Sequence, residues 1–443
     1  MRNIPPIMIA TIFASVLAAA PPASADNDGD RTGSVKQSSS ANRPNAQSWS
    51  GEDGASGDPL MTAAAIRQAA ANFRHCIEAQ WPAAHRKGVS RANFERMTAQ
   101  LTPDLRIMDL VDSQPEFTKA VWDYLDVLVN DDRVAAGRAI LEKHGAAFDA
   151  AEKVYGVDRY VITAIWGVET NYGEIGGDRP VLRSTATLAC VGRRQRYFRD
   201  EFVAALDILN RGDVKPEQLV GSWAGAFGPT QFMPTAFKRY AVDFDRDGRR
   251  DVFGSMADLI ASTANHLKKA GWKAGETWGY EVVVPANFDF RLADHQRSMT
   301  IHDWQRLGIV RPGGKPFPRP GDQAFMLVPA GVQGPGFLML PNFKAIMRYN
   351  PAEAYALAIG HLADRLRGGG AFAQAWPRYE RVLTRDERLE LQQLLERHGF
   401  DVGEPDGRFG ARTRAALRDF QARIGRVPDG FASAGVLERL RRR

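Results

Sequence analysis

In the stretch VITAIWGVETNYG, residues 161–173, a carboxylate stands where a packing residue would be expected. Val161, Ile165 and Val168 recur at helical spacing, as do Ile162 and Trp166, and Glu169 continues both series. Burying an ionised carboxylate among such neighbours is costly, so the group either finds a partner or raises its pKa and keeps its proton. A proton held near neutral pH is what a general acid requires. Gly173, Gly176 and Gly177 follow closely, so the helix is expected to end near Asn171. Glu169 would otherwise sit on a last turn that reaches solvent.

Two further stretches carry the polar and aromatic mixture that a sugar pocket needs. In GSWAGAFGPTQFMP, the small residues Gly221, Ala224, Gly225, Ala226 and Gly228 allow close backbone approach to a ligand. Ser222 and Gln231 supply polar groups there, and Trp223, Phe227 and Phe232 supply apolar walls. In MRYNPAEAYALA, Tyr349, Asn350 and Tyr355 combine ring faces with hydrogen-bonding tips. Taken alone, each stretch also reads as ordinary turn and helix residues. The segment Asp243-Phe244-Asp245-Arg246-Asp247-Gly248 places acids at alternate positions with Gly at the sixth, like the start of a calcium loop. It departs at position twelve, where Gly254 replaces the bidentate Glu, although Asp251 or Asp258 would be near enough to contribute. Arg246, Arg249 and Arg250 offset the charge, so a solvated turn is an equal reading, and any calcium would be structural.

The elements that must position these groups are mostly helical. At 443 residues, with 44% hydrophobic and 25% charged residues, the chain is of globular class and long enough for two or more domains. Helical patterns dominate from Met61 to near Trp278, while YEVVVP, QAFMLVP and FLMLP between Tyr280 and Asn342 read as strands of a small β-rich insertion. AEAYALAIGHLADRL returns to helix, and Gly368 to Gly370 with Pro377 mark an exit through residues 371–382 into a second domain at 383–443. The fold class expected is mainly α (α+β).

At the N-terminus, Arg2, an apolar run and Ala23-Ser24-Ala25 fit a signal peptide over residues 1–25, with no cysteine near the cleavage point to take a lipid. An uncleaved anchor is the alternative. Residues 26–60 are Ser, Gly, Asn and Asp with little apolar content and read as a disordered spacer. An exported, soluble, periplasmic protein with no integral membrane segment is expected. An oxidising compartment would permit a disulfide between Cys76 and Cys190, two buried thiols being the other reading. A net charge of +6 with no zinc-finger spacing or basic region gives no support for nucleic acid and is compatible with an anionic polymer.

Residues 383–443 resemble the peptidoglycan-binding domain found at the ends of many wall enzymes, through DGRFGART and ALRDFQ. AIWGVETNYG, GSWAGAFGPTQFMP, the aspartate-rich loop and RYNPAEAYALA occur in the same order as in the membrane-bound lytic murein transglycosylase B family, and that resemblance covers residues 61–370. It implies a lysozyme-like helical catalytic domain acting on the glycan strands of peptidoglycan, with no cofactor required. Glu169 matches the family's catalytic glutamate; Ser222, Gln231, Tyr349, Asn350 and Tyr355 match positions lining its substrate groove. A hydrolysing glycosidase usually needs a second carboxylate. Glu174 and Asp178 lie beyond the expected helix end, and the resemblance implies that one residue acts twice. Glu169 would protonate the oxygen joining N-acetylmuramic acid to N-acetylglucosamine, then take a proton from the muramic 6-hydroxyl as it attacks C1, giving a 1,6-anhydro end. A hydrolytic muramidase and a non-catalytic wall-binding scaffold are the other readings; protein partners are not legible.

Overall fold

A computed structural model describes residues 49–54, 57–111 and 119–442. The expected signal peptide and most of the expected spacer lie outside the described residues. Among the described residues no helix is long and apolar enough to cross a membrane. The end of the expected spacer is already held to the helical domain. Ser50 donates from both N and Oγ to Asp109, at 3.0 and 2.6 Å, and Asp53 accepts from Ala63 N at 2.6 Å. Trp49 lies under the Arg67 guanidinium, so one aromatic and two short polar side chains, Ser50 and Asp53, help to anchor an otherwise core-less segment.

The helix Arg159–Thr170 is the axis of the helical domain. Asp158 caps its start, accepting from Tyr160 N at 2.8 Å, and Asn171 ends it in the left-handed conformation, φ 49°. All residues from Val161 to Thr170 are buried, so this helix is covered all round rather than on one stripe. Val161, Ile162, Ile165 and Val168 belong to a core shared with the helix Glu353–Leu366 and with Phe325, Phe337 and Phe343. Trp166 belongs to a second core with the helices Val181–Cys190 and Gln195–Arg211 and the aromatic loop around Phe227 and Phe232. The helix thus runs between two cores, and Glu169 lies where they meet.

Cys76, in the helix Phe73–Glu78, and Cys190, at the end of Val181–Cys190, are joined in a disulfide. The β-rich insertion is a four-stranded antiparallel sheet in the order Gly279–Val282, Gly336–Met339, Gln323–Leu327, Met299–Thr300. Trp304, from the short helix Ile301–Arg306, fills its far face with Ile301, Phe290 and Met326.

Residues 371–382, expected as a linker, are strapped to the larger, N-terminal domain. Glu281 accepts from Ala373 N and Gln374 N at 2.8 Å each, Arg378 grips Asp126 at 2.6 and 2.9 Å, and Phe372 and Trp376 pack on Phe337. Glycines that read as an exit here lead into a segment whose aromatic residues find the sheet.

The C-terminal region is three helices, Arg385–Arg397, Ala411–Arg423 and Ala434–Arg441, around Leu391, Leu395, Leu417, Phe420 and Leu437. Two Pro-Asp-Gly turns, 405–407 and 428–430, are each clamped by a buried glutamine. Gln392 Oε1 accepts from Gly407 N at 2.7 Å and Gln421 Oε1 from Gly430 N at 2.7 Å. Both glycines have φ 74°, the left-handed region that makes glycine the favoured residue.

Candidate active site

Glu169 does not reach solvent from its terminal turn: it is 5% exposed. Tyr355, fully buried on the helix Glu353–Leu366, donates its hydroxyl to Glu169 Oε1 at 2.7 Å across 186 residues of sequence. Burial first, and then the charge of Glu169, push the Tyr355 phenol well above its usual range, so it stays protonated as a donor. Tyr349 is likewise raised by burial and by Glu169, and its hydroxyl is bonded to the Thr230 carbonyl. The other buried carboxylates are differently served. Asp104 is held by Arg106 and Arg179, and Asp207 by Arg211 and Lys238. Glu201 accepts from Thr235, and Asp258 from backbone amides. Glu201 also faces the Tyr197 phenol, but it accepts from Thr235 as well, whereas the Tyr355 phenol bonds Glu169 at the end of its helix; Glu174 and Asp178 are exposed beyond the helix.

The loop 221–232 is moored beside the end of the glutamate helix. Thr170 Oγ1 donates to the Pro229 carbonyl at 2.6 Å, directly after Glu169. Gln231, at φ 52°, donates from Nε2 to Gly228 O at 2.9 Å and Gly176 O at 3.4 Å. A non-glycine residue in that conformation costs energy and persists where its surroundings hold it. Ser222 Oγ accepts from Ala226 N at 3.0 Å, closing the turn. The close approach explains the glycines: a Cβ on Gly177 would stand 2.3 Å from Gly221 O. Ser222 and Gln231 therefore shape the loop, while Tyr349 ties it to the helix Pro341–Tyr349.

Asn350 places its Oδ1 on Ala352 N at 3.0 Å, and its buried Nδ2 has no protein partner. Trp166 Nε1 is also buried without one. Buried donors left unmatched by protein are what a polar ligand would satisfy. Sequence reading did not single out Thr170, which moors the loop, or Tyr124, whose charge interaction with Tyr355 places it near the site. Tyr124 lies in the plain amphipathic helix Val121–Leu128 and carries no local signal. His266, stacked on Tyr240 at 4.2 Å and tilted against Tyr349 at 4.5 Å, is held neutral by burial, its pKa lowered to about 3.

The acidic loop is near but separate. Asp243, Asp245 and Asp258 bring carboxylate oxygens within 4.8 Å of one another. Asp258 joins the group in the place expected for Asp247, whose carboxylate instead accepts from Arg249 N at 2.8 Å. Asp243 Oδ1 is buried without a protein partner, and the donor set is all oxygen, which suits a hard divalent cation.

The family described as the transglycosylase SLT domain matches residues 72–364, and the peptidoglycan binding domain matches residues 384–440. Membrane-bound lytic murein transglycosylase B of Escherichia coli (strain K12) is 29% identical over 292 residues, covering 63% of this chain and 79% of that protein. The structure of SltB3 from Pseudomonas aeruginosa with NAG-anhNAM-pentapeptide is 45% identical with TM-score 0.80, covering 83% of this chain and 99% of that one. Escherichia coli lytic transglycosylase Slt35 in complex with calcium is 28% identical with TM-score 0.56, covering 67% and 92%.

Proposed function

This chain belongs to the transglycosylase SLT domain family, and on that footing we propose that Glu169 is the acid and base of a lytic murein transglycosylase. The chain is an enzyme of peptidoglycan breakdown with a lysozyme-like catalytic region and a helical wall-binding region. The observation that carries the assignment of Glu169 is its burial against the Tyr355 hydroxyl at the junction of two cores. One carboxylate then serves both steps. Its proton passes to the glycosidic oxygen as the C1–O bond breaks, and the 2-acetamido group of N-acetylmuramic acid stabilises C1. The ionised Glu169 next takes the 6-hydroxyl proton as that oxygen bonds to C1, so no water is consumed and Glu169 is regenerated.

Ser222, Gln231, Tyr349 and Asn350 complete the substrate groove in this reading, with the free Asn350 Nδ2 as a donor to a sugar oxygen or acetamide. Catalytic residues 61–370 and wall-binding residues 383–443 would work on glycan strands in the periplasm after export. A structural calcium held by Asp243, Asp245 and Asp258 would neutralise their mutual repulsion and take no part in catalysis.

Mass spectrometry of products from digested peptidoglycan tests the reaction: 1,6-anhydromuramic ends are expected, and products one water heavier would mean hydrolysis. Glu169→Gln should abolish cleavage while leaving fold and wall binding intact. Substantial residual activity would move the acid elsewhere.

A further inference from the structure

The helix that carries Tyr355 begins without a side-chain cap: Ala352 stands at the N-cap position, and Pro351 precedes it. A first turn of this kind frays readily, because its leading amides have no intrahelical partner. Yet Tyr355 lies in that turn and must hold its hydroxyl on Glu169. Core packing of Ala352, Tyr355 and Ala356 and the Asn350 Oδ1 bond to Ala352 N hold its inner side, and Glu353, its first residue, ties its outer side to the rest of the protein. Glu353 Oε1 accepts from Arg414 Nη1 at 2.9 Å and lies 3.3 Å from His295 Nε2. Arg414 belongs to the wall-binding region, on the helix Ala411–Arg423, and His295 to the β-rich insertion. The pair is partly enclosed, with side chains 34% and 25% exposed. Burial alone would raise the Glu353 carboxyl, but Arg414 and then His295 hold it below its usual range, so it stays charged. Burial lowers the His295 pKa, leaving Arg414 as the lasting positive partner.

We propose that Arg414 is a positioning residue for the glycosidic reaction: by gripping Glu353 it holds the first turn of the helix Glu353–Leu366 and so keeps the Tyr355 hydroxyl on Glu169. The wall-binding region thereby has a second task beside retention on the wall. Two of its other docking contacts are made to groups outside this turn. Arg418 donates to the Ala293 carbonyl at 3.2 Å, and Asp429 accepts from Val332 N at 3.0 Å. These supply the internal controls.

The proposal rests on Glu169 being the acid, and the experiment separates the two. Full-length Arg414→Ala, Glu353→Gln and Arg418→Ala are compared on soluble glycan for kcat and KM across pH, with melting and wall-binding checks. Arg414→Ala and Glu353→Gln should each lower kcat about tenfold with KM little changed, and raise the basic limb of the pH profile by up to about one unit. Arg414→Lys should restore part of the loss, and Arg418→Ala should leave the pH profile where it is. In a Tyr355→Phe background, Arg414→Ala should add no further pH shift, since the hydroxyl it positions is gone. A folded Arg414→Ala variant with the wild-type kcat and pH profile would overturn the proposal, as would an equal effect of Arg418→Ala. If Glu169→Gln itself stays active, the assignment of Glu169 fails, and this proposal fails with it for that separate reason.

Discussion

Replacing Tyr355 by Phe removes one oxygen and keeps the ring that fills the core. The lost group is a buried hydroxyl that donates to Glu169 Oε1 at 2.7 Å. A hydrogen bond to an ionised group is worth about 1.5–3 kcal/mol. Because the phenol keeps its proton, the bond favours ionised Glu169 over the neutral acid, and losing it moves the carboxyl pKa upward. At 1.36 kcal/mol per unit, the shift is about one to two units. Glu169 must start protonated to cleave the glycosidic bond, so the basic limb of kcat/KM should rise in pH by that amount. The kcat plateau should fall, because a less acidic carboxyl is a poorer proton donor to the leaving oxygen. The assay is a pH series from about 4 to 9 on soluble glycan fragments, reading anhydro ends, with melting temperature as the fold control. An unmoved basic limb would refute the reasoning. A downward shift would mean that the tyrosine accepts from neutral Glu169 rather than donating to its ion.

Removing calcium should lower the melting temperature by a few degrees, since Asp243, Asp245 and Asp258 would then repel without a counter-ion, and Asp258→Asn should blunt the response to chelator; identical melting in calcium and chelator would show that the loop holds no metal. His266 has a folded pKa of about 3 against 6.5 unfolded, so its contribution to stability is intact above about pH 6.5 and is lost as pH falls toward 3. Over that window the loss is about 1.4 kcal/mol per pH unit, and His266→Phe should flatten the acid side of the stability profile measured by denaturant melts. Cys76→Ser with Cys190→Ser opens a link spanning 114 residues and should cost about 2–5 kcal/mol in denaturant unfolding, with no change in the pH profile of catalysis.

Much of the site was legible along the chain because its groups announce themselves locally. A carboxylate at the eighth step of an apolar helical series is an anomaly within a dozen residues, and the structure puts Glu169 at 5% exposure on that helix. The glycines of the 221–232 loop were read as leaving room for a ligand; what stands against them in the structure is the protein itself, a Cβ on Gly221 meeting Ala226 O and one on Gly225 meeting Thr185. The strands of the insertion were visible as short apolar runs between Gly and Pro, but their order was not, since the last strand in sequence lies second in the sheet. The described end of the segment read as spacer, and the segment read as linker, are anchored. Composition measures how little apolar surface a segment has to bury, not whether a Trp49 or a Trp376 meets a surface already built.

The sequence by itself determined which chemistry was available: one acid in an apolar helix, a small-residue loop, an acidic loop, a tyrosine-asparagine motif and a wall-binding tail, in that order. Only the tertiary structure decided which groups meet. It chose Tyr355 as the donor to Glu169, set Asp258 beside Asp243 and Asp245, and turned Arg414 of the wall-binding region onto Glu353. Periodicity fixes the face of a helix on which a residue lies, because that depends on the backbone within a few turns. The partner across that face depends on how separate helices dock, which is set by the packing of whole cores and leaves no mark at any one position.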